Sequence, residues 1–216
     1  MNMLLRLFIV TSLLISSPAY ATFTTVFDRT TQMAGTDDGD GDQQVWTRLR
    51  IAASSWSTAA AGTSVRITIL WGASSPTVTN ALVSLWFGQA GASKGDFTGD
   101  QISLTCTSNN SSAAGTATCT GTLAQNFDNT KDYVASYMLA QTGSMSVAET
   151  NTAGATLYIG TSASDVAGTT TMPTELASNG DTALVEKIEI DVSGGGGGGG
   201  TSNTTGHGLN LLGVGN

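Results

Sequence analysis

The sequence predicts an all-β protein: a two-sheet antiparallel β-sandwich or jelly roll of about nine strands. Apolar residues alternate with polar ones wherever they gather, and this period-2 pattern indicates strands with one buried face. No segment after residue 21 sustains a helical period over three turns. Clusters of Gly, Asn, Ser and Thr separate the strand-like runs, as is typical of sandwiches.

The first residues have the pattern of a secretory signal peptide, residues 1–21. Arg6 precedes an apolar run from Leu7 to Ile15, and the small residues of Ala19-Tyr20-Ala21 predict cleavage after Ala21. The run is too short to span a bilayer, which disfavours the alternative of a membrane-anchoring helix. We therefore expect a soluble protein that is secreted to the extracellular space or the cell surface, without membrane insertion.

The charge of the chain argues against two classes of partner. The chain has 8 basic and 16 acidic residues, and loss of the signal peptide, which holds one cation, changes the formal charge from −8 to −9. Without a basic patch, nucleic acid and anionic membranes are poor partners. Residues 22–193 are predicted to form one sandwich domain of ordinary size.

The first two predicted strands are "FTTVFD" and Gln44–Ile51. One face of the second strand is mainly apolar and is formed by alternate residues: Val45, Thr47, Leu49 and Ile51. The opposite face carries Trp46, Arg48 and Arg50. This alternation predicts that the first set faces the core.

The next two predicted strands are Val65–Trp71 and "ALVSLWFG". In the third strand the apolar residues again alternate: Val65, Ile67, Ile69 and Trp71. The fourth strand, "ALVSLWFG", is apolar on both faces, with Val83, Leu85 and Phe87 on one and Leu82 and Trp86 on the other. Such a strand is predicted to be central in its sheet.

Five further strands are predicted: "QISLTCT", "GTATCTGTL", "DYVASYML", "ATLYIG" and "ALVEKIEIDV". The outer face of the last strand carries Lys187, Glu189 and Asp191, which predicts a wet surface. Cys106 and Cys119 flank a turn-rich stretch between two of these strands, so we expect a disulfide across a hairpin. The alternative is a pair of unpaired buried thiols.

An acidic run, Thr36–Asp42, precedes the second strand and offers carboxylates at alternate positions: Asp38, Asp40 and Asp42. An EF-hand loop that starts at Asp38 requires Gly where Gln43 stands and Glu where Leu49 stands, so that assignment fails. A calcium site of another geometry remains an alternative to a solvated acidic loop. No other cofactor is predicted.

Catalytic residues are hard to assemble from this sequence. The only histidine, His207, lies beyond a run of seven glycines, which argues against a rigid Ser-His-Asp triad or a zinc site. A count of the acidic residues does not exclude a pair of carboxylates that would hydrolyse glycosidic bonds. We predict that the protein is not an enzyme.

A carbohydrate site is one alternative for the polar face of the second strand. Flat aromatic rings bind the apolar faces of sugars, while nearby polar groups bind the hydroxyls. Trp46, Arg48 and Arg50 would suit this role, with Trp86 joining from a neighbouring strand. Equally, a sandwich can bury its tryptophans, and arginine stems can cover apolar surface.

The segment after the last strand, residues 194–216, combines a flexible tether with an apolar end. Gly194–Gly200 cannot pack a core. The apolar residues of the segment beyond them are Leu209, Leu211, Leu212 and Val214. We expect either a disordered end or a short strand that docks on its own sheet or on the edge of a neighbouring copy.

Several stretches carry a resemblance to known proteins: "RLRIAASSW", "SVRITILWG", "ALVSLWFGQAG", "DFTGDQISLT", "FDNTKDYVASYML" and "ALVEKIEI". In order and spacing they resemble β-sandwich accessory modules of bacterial extracellular proteins and phage tail-associated proteins. The resemblance covers residues 43–192 and implies a sandwich without catalytic residues.

These observations together predict a secreted, non-enzymatic structural or adhesive protein that joins copies of itself through terminal strands. The alternative is a carbohydrate-binding module, and a secreted hydrolase ranks third. The expected partners are therefore other copies of the chain or an extracellular glycan.

Overall fold

A computed structural model describes eight stretches of the chain: residues 21–28, 36–37, 44–71, 79–107, 115–142, 146–147, 154–174 and 185–193. Most of the predicted signal peptide, residues 1–20, lies outside them. So do the acidic residues Asp38, Asp40 and Asp42 and the whole segment 194–216. The predictions for calcium and for the terminal apolar residues therefore fall outside the described residues.

Eight of the nine predicted strands are confirmed, whereas the predicted strand "QISLTCT" is divided into two short strands that belong to different sheets. The longer strands are β1 Phe23–Asp28, β3 Gln44–Ile51, β4 Ser64–Trp71, β5 Thr79–Gln89, β8 Gly115–Thr122, β9 Tyr133–Thr142, β11 Ala155–Thr161 and β12 Val185–Asp191. Four strands have two residues each: β2 Thr36–Asp37, β6 Ile102–Ser103, β7 Thr105–Cys106 and β10 Ser146–Val147. One 3₁₀ turn spans Ala53–Ser55.

The strands form two five-stranded antiparallel sheets, as predicted. Sheet I has the order β1-β12-β4-β8-β7, sheet II has the order β11-β3-β9-β5-β6, and β10 pairs with β2. Strands β1, β12, β4 and β8 of sheet I and β3, β9, β5 and β6 of sheet II follow the order of a jelly roll, which is two interlocked Greek keys. Strands β7 and β11 extend the two sheets at their edges.

The inner faces of the sheets supply one hydrophobic core. Its members include Leu49 and Ile51 of β3, Ile67 of β4, Phe87 of β5 and Ile188 of β12. An aromatic group occupies one part of this core. The Phe87 and Tyr133 rings stack with centroids 5.2 Å apart, and Trp56 meets Tyr133 edge-on at 5.7 Å.

The prediction for the two faces of β5 is wrong at its start. A β-bulge between Leu82 and Ser84 shifts the alternation by one residue. Leu82 is consequently buried, while Val83 is 45% exposed instead of joining Leu85 in the core. Nor is β5 the central strand, because β9 lies between β3 and β5 and is buried throughout Tyr133–Leu139.

The predicted disulfide is confirmed. Cys106 of β7 lies directly opposite Cys119 of β8 and is bonded to it. The bridge fastens the two-residue edge strand to the sheet. It also fits a protein of an oxidising, non-cytoplasmic compartment.

The prediction that the outer face of β12 is exposed to solvent is wrong at Glu189, which is only 6% exposed. The two Glu189 oxygens accept hydrogen bonds from Arg66 Nε at 2.7 Å and Arg66 Nη2 at 2.9 Å. The Arg66 guanidinium also lies 4.1 Å from the centroid of the Phe23 ring. Because β12 lies between β1 and β4, Arg66 of β4 reaches its carboxylate and Phe23 of β1 packs on that arginine.

A candidate functional site on the outer face of sheet II

Two loops cover the outer face of sheet II. The β5–β6 loop (residues 90–101) and the β11 loop (residues 162–174) are joined by hydrogen bonds. Phe97 N donates to Thr170 O at 2.8 Å, Met172 N donates to Asp96 Oδ1 at 2.7 Å, and Gln101 Nε2 donates to Gly168 O at 2.9 Å. The two loops therefore form one continuous cover.

Arg48 of β3 holds this cover to the sheet and is fully buried. Its Nη1 donates to Gly95 O at 2.8 Å, and its Nη2 donates to Thr169 O at 2.5 Å and to Thr169 Oγ1 at 2.8 Å. Its guanidinium also lies 4.9 Å from the centroid of the Phe97 ring. Burial lowers the pKa of Arg48 to about 10, against the attraction of Asp96. The group therefore stays charged at neutral pH.

A small second hydrophobic cluster lies beneath the β11 loop. It centres on Trp46, Met138 and Ala167, all of which are buried. Each of the two indoles on this face is in contact with a glycine. A Cβ at Gly160 would overlap the Trp46 ring, and a Cβ at Gly168 would overlap the Trp86 ring. Backbone therefore lies against both tryptophans where a side chain would not fit.

The same face collects buried polar atoms that have no hydrogen-bond partner among the described residues. They are Trp46 Nε1, Arg48 Nε, Ser84 Oγ, Trp86 Nε1, Gln101 Oε1 and Ser136 Oγ. An unsatisfied buried polar group costs about 1–3 kcal/mol, so native proteins contain few of them. Their concentration on one face of one sheet marks this surface as unusual.

The strand register shows that these atoms belong to two adjacent rows. Ser136 of β9 lies opposite Arg48 on one side and Trp86 on the other. In the next row, Met138 lies between Trp46 and Ser84. Gln101, at the end of the β5–β6 loop, belongs to the cover above them.

Arg50 has a different role from Arg48, although both were predicted for one site. Its Nη2 forms an ion pair with Asp132 Oδ2 at 2.8 Å, and its Nη1 donates to Gly91 O at 3.0 Å. Asp132 Oδ1 accepts the Ala53 N–H at 2.9 Å, and this bond, together with Arg50, lowers the pKa of Asp132. Arg50 thus fastens one end of the β5–β6 loop.

The structure brings the four residues of the predicted carbohydrate site onto one face. Trp46 and Arg48 are buried beneath the cover, whereas Trp86 and Arg50 are half-buried, so the four do not form an open platform. The carbohydrate site stays a prediction. Ser84, Ser136 and Gln101 were not singled out from the sequence, because a lone hydroxyl or amide carries no motif.

The edge of β11 is a second feature of sheet II. All seven residues of β11 pair with β3 without a register shift, from Ala155 opposite Ile51 to Thr161 opposite Val45. Across the ranges that the structure describes, no strand pairs with its other side. By contrast, the edge strand β1 has a bulge between Thr25 and Phe27.

Other features of the described residues are few. A shallow depression of about 540 Å³ is lined by eight residues: Ala59, Ala60, Ala61, Gln125, Asn126, Phe127, Asp128 and Asn129. Among the described residues, no group of three or more His, Cys, Asp or Glu side chains is placed to hold a metal ion. The described residues include no helix that is long and apolar enough to cross a membrane.

Comparisons of the chain with protein-family models, with curated proteins and with solved structures find no match. The resemblance to accessory β-sandwich modules therefore stays a prediction.

Proposed function

We propose that this protein is a secreted, non-enzymatic structural or adhesive module that assembles with copies of itself by strand addition at the edge of β11. The observation that carries the proposal is the unprotected edge. Soluble proteins usually protect an edge strand with a charge, a proline or a bulge. The strand Ala155–Thr161 has the sequence ATLYIGT and no such protection.

The proposed occupant of this edge is the apolar segment that follows the glycine tether, residues 207–216 of a second copy. Within it Leu209 and Leu211 share one face of an extended strand, and Leu212 and Val214 share the other, so either face would direct one apolar pair inward. Leu157 is half-buried at the edge of the core, and an added strand would complete its burial. The backbone groups of β11 would supply the hydrogen bonds.

The glycine tether, Gly194–Gly200, is long enough for the terminal segment to reach a second copy. Seven glycines span about 15 Å as a flexible coil and about 24 Å when fully extended. A linker of this length lets a terminal strand reach the adjoining molecule. Each copy would then donate one strand and accept another, which builds an open chain of subunits.

Sedimentation velocity of the chain 22–216 over a range of concentrations tests the proposal. We expect oligomers that grow with concentration and that disappear when residues 201–216 are deleted. Thr156→Lys, which places a charge on the β11 edge, should also abolish them. The matched control is Thr120→Lys on the exposed outer face of sheet I, which should leave assembly unchanged.

Two results would overturn the proposal. One is a monomer at every concentration of the unmodified chain. The other is assembly that survives both the deletion and Thr156→Lys, because the contact would then lie elsewhere.

A further inference from the structure

We propose that the loop-covered face of sheet II is a closed binding site for a neutral sugar ring, and that the β11 loop (residues 162–174) is its lid. The inference does not depend on strand exchange. It starts from the six unpartnered polar atoms, which belong to side chains on one face or in its cover. Three of those side chains, Trp46, Arg48 and Ser136, are at most 1% exposed.

The hydrogen-bonding character of these atoms defines the chemistry of a ligand. The two indole N–H groups and Arg48 Nε–H only donate, so a ligand must offer several acceptor oxygens. The hydroxyls of Ser84 and Ser136 can donate or accept, while Gln101 Oε1 accepts and so needs a donor. Sugar hydroxyls both donate and accept, which meets all of these requirements.

The rest of the surroundings also favours a sugar. Two tryptophans lie close together, and flat aromatic surface binds the apolar face of a pyranose ring. The positive charge of Arg48 is opposed by the nearby Asp96 carboxylate. A ligand without net charge therefore fits better than a carboxylate or phosphate.

The β11 loop makes, with its own backbone, the contacts that a sugar would make. Gly168 lies against the indole of Trp86, as the C–H groups of a sugar would. The carbonyl oxygens of Val166, Ala167 and Thr169 accept hydrogen bonds from Arg48 Nη2, as sugar oxygens would. A bound sugar would replace these contacts with equivalent ones and would also satisfy the groups that the loop leaves unpartnered.

Gly168 is the position at which a substitution should displace the lid while the six side chains with unpartnered atoms are kept. A Cβ there would overlap the Trp86 ring, so Gly168→Val should displace the loop. The expected result is stronger quenching of tryptophan fluorescence by acrylamide and tighter sugar binding, by about tenfold. That factor corresponds to about 1.4 kcal/mol of lid closure. Thr171→Val, at an exposed position of the same loop, is the matched control.

The test is a glycan array probed with the chain 22–216, followed by titration with methyl glycosides of the hexoses that score. Ser136→Ala and Trp86→Phe each remove one hydrogen-bonding group and should weaken binding about tenfold. Ser136→Ala should leave the fold as stable or more stable, because it removes an unsatisfied group. Ser64→Ala on sheet I is its control and should bind normally.

The proposal is overturned if neither the unmodified chain nor Gly168→Val binds any glycan, which would mean that ordered water alone satisfies these groups. Binding that is unchanged in both Ser136→Ala and Trp86→Phe would also overturn it, because the glycan would then lie elsewhere.

Discussion

The outer faces of the two sheets differ more than their sequences suggest. On sheet I the outer positions of β8 are threonines, including Thr116, Thr120 and Thr122, and these three are exposed to solvent. On sheet II the outer positions of β3, including Trp46 and Arg48, lie beneath two loops. Strand alternation determines which residues point away from the core, and loop contacts decide whether those residues reach water.

Arg48 on sheet II and Arg66 on sheet I show how the two outer faces differ in burial and in hydrogen-bond partners. Arg48 is fully buried, and its hydrogen bonds go to loop carbonyls and to Thr169. Arg66 keeps about a third of its side chain exposed and pairs with a carboxylate. Burial lowers the pKa of Arg48, whereas the hydrogen bonds that Arg66 donates to Glu189 raise the pKa of Arg66. One arginine fastens a cover, and the other neutralises a charge within the sheet.

The largest expected effect is that of Arg48→Met, which keeps an apolar stem but removes the guanidinium. It leaves the carbonyls of Gly95 and Thr169 without their donor, so we expect a loss of about 3 kcal/mol or more in the free energy of unfolding. Urea unfolding followed by tryptophan fluorescence measures this. Arg66→Met is the comparison variant and should cost less, about 2 kcal/mol, because Lys187 Nζ still lies 3.4 Å from the buried Glu189 carboxylate. Equal losses in the two variants would contradict the comparison.

The disulfide of sheet I, which lies on the core side of that sheet, has the next largest expected effect. It closes a loop with a sequence separation of 13 residues, and the loop-entropy model gives about 3 kcal/mol for a loop of this length. A double Cys106→Ser and Cys119→Ser variant should lose an amount of this order, measured by the same urea titration. Hydrogen exchange should rise first in β7 and β8, while the loop cover of sheet II stays protected. Loss of protection in the cover instead would show that the two faces are coupled.

The contribution of Glu189 to the stability of sheet I depends on pH. The hydrogen bonds from Arg66 lower the pKa of Glu189 below its ordinary value of 4.5. The carboxylate therefore contributes its full stability above pH 4.5 and loses that contribution as pH falls through the lower pKa of the folded state. We expect Glu189→Gln to cost about 1 kcal/mol at pH 7 and progressively less in acid. Thermal unfolding at pH 7, 4 and 3 measures this, and a constant difference would contradict the assignment.

The smallest expected effect is that of Thr120→Val on the outer face of sheet I. Thr120 is exposed, and substitutions at such positions usually change stability by no more than about 0.5 kcal/mol.

Ser136→Ala, on the covered face of sheet II, should instead match or raise stability because it removes an unsatisfied hydroxyl. The melting temperatures of the two variants give this contrast directly. A large loss in Ser136→Ala would mean that its hydroxyl has a partner.

Much of the fold could be predicted from the sequence because its signals are local. Period-2 alternation located every longer strand, and the spacing of Cys106 and Cys119 predicted their bond. The error at Val83 arose because a single bulge shifts the alternation by one residue, and nothing in "ALVSLWFG" marks its position. The candidate site was predicted only in part: Trp46, Arg48 and Trp86 do share one face, but the hydroxyls and glycines around them carry no sequence signal.

The sequence by itself determined the longer strands, most of their inward and outward residues and the disulfide, since each depends on residues close together in the chain. Only the tertiary structure decided that Arg48 is buried, because its partner Thr169 lies 121 residues away. Likewise, Glu189 and Arg66 are separated by 123 residues and meet only because β12 pairs with β4. Alternation gives the direction of a side chain, but its burial depends on which distant segments pack over it.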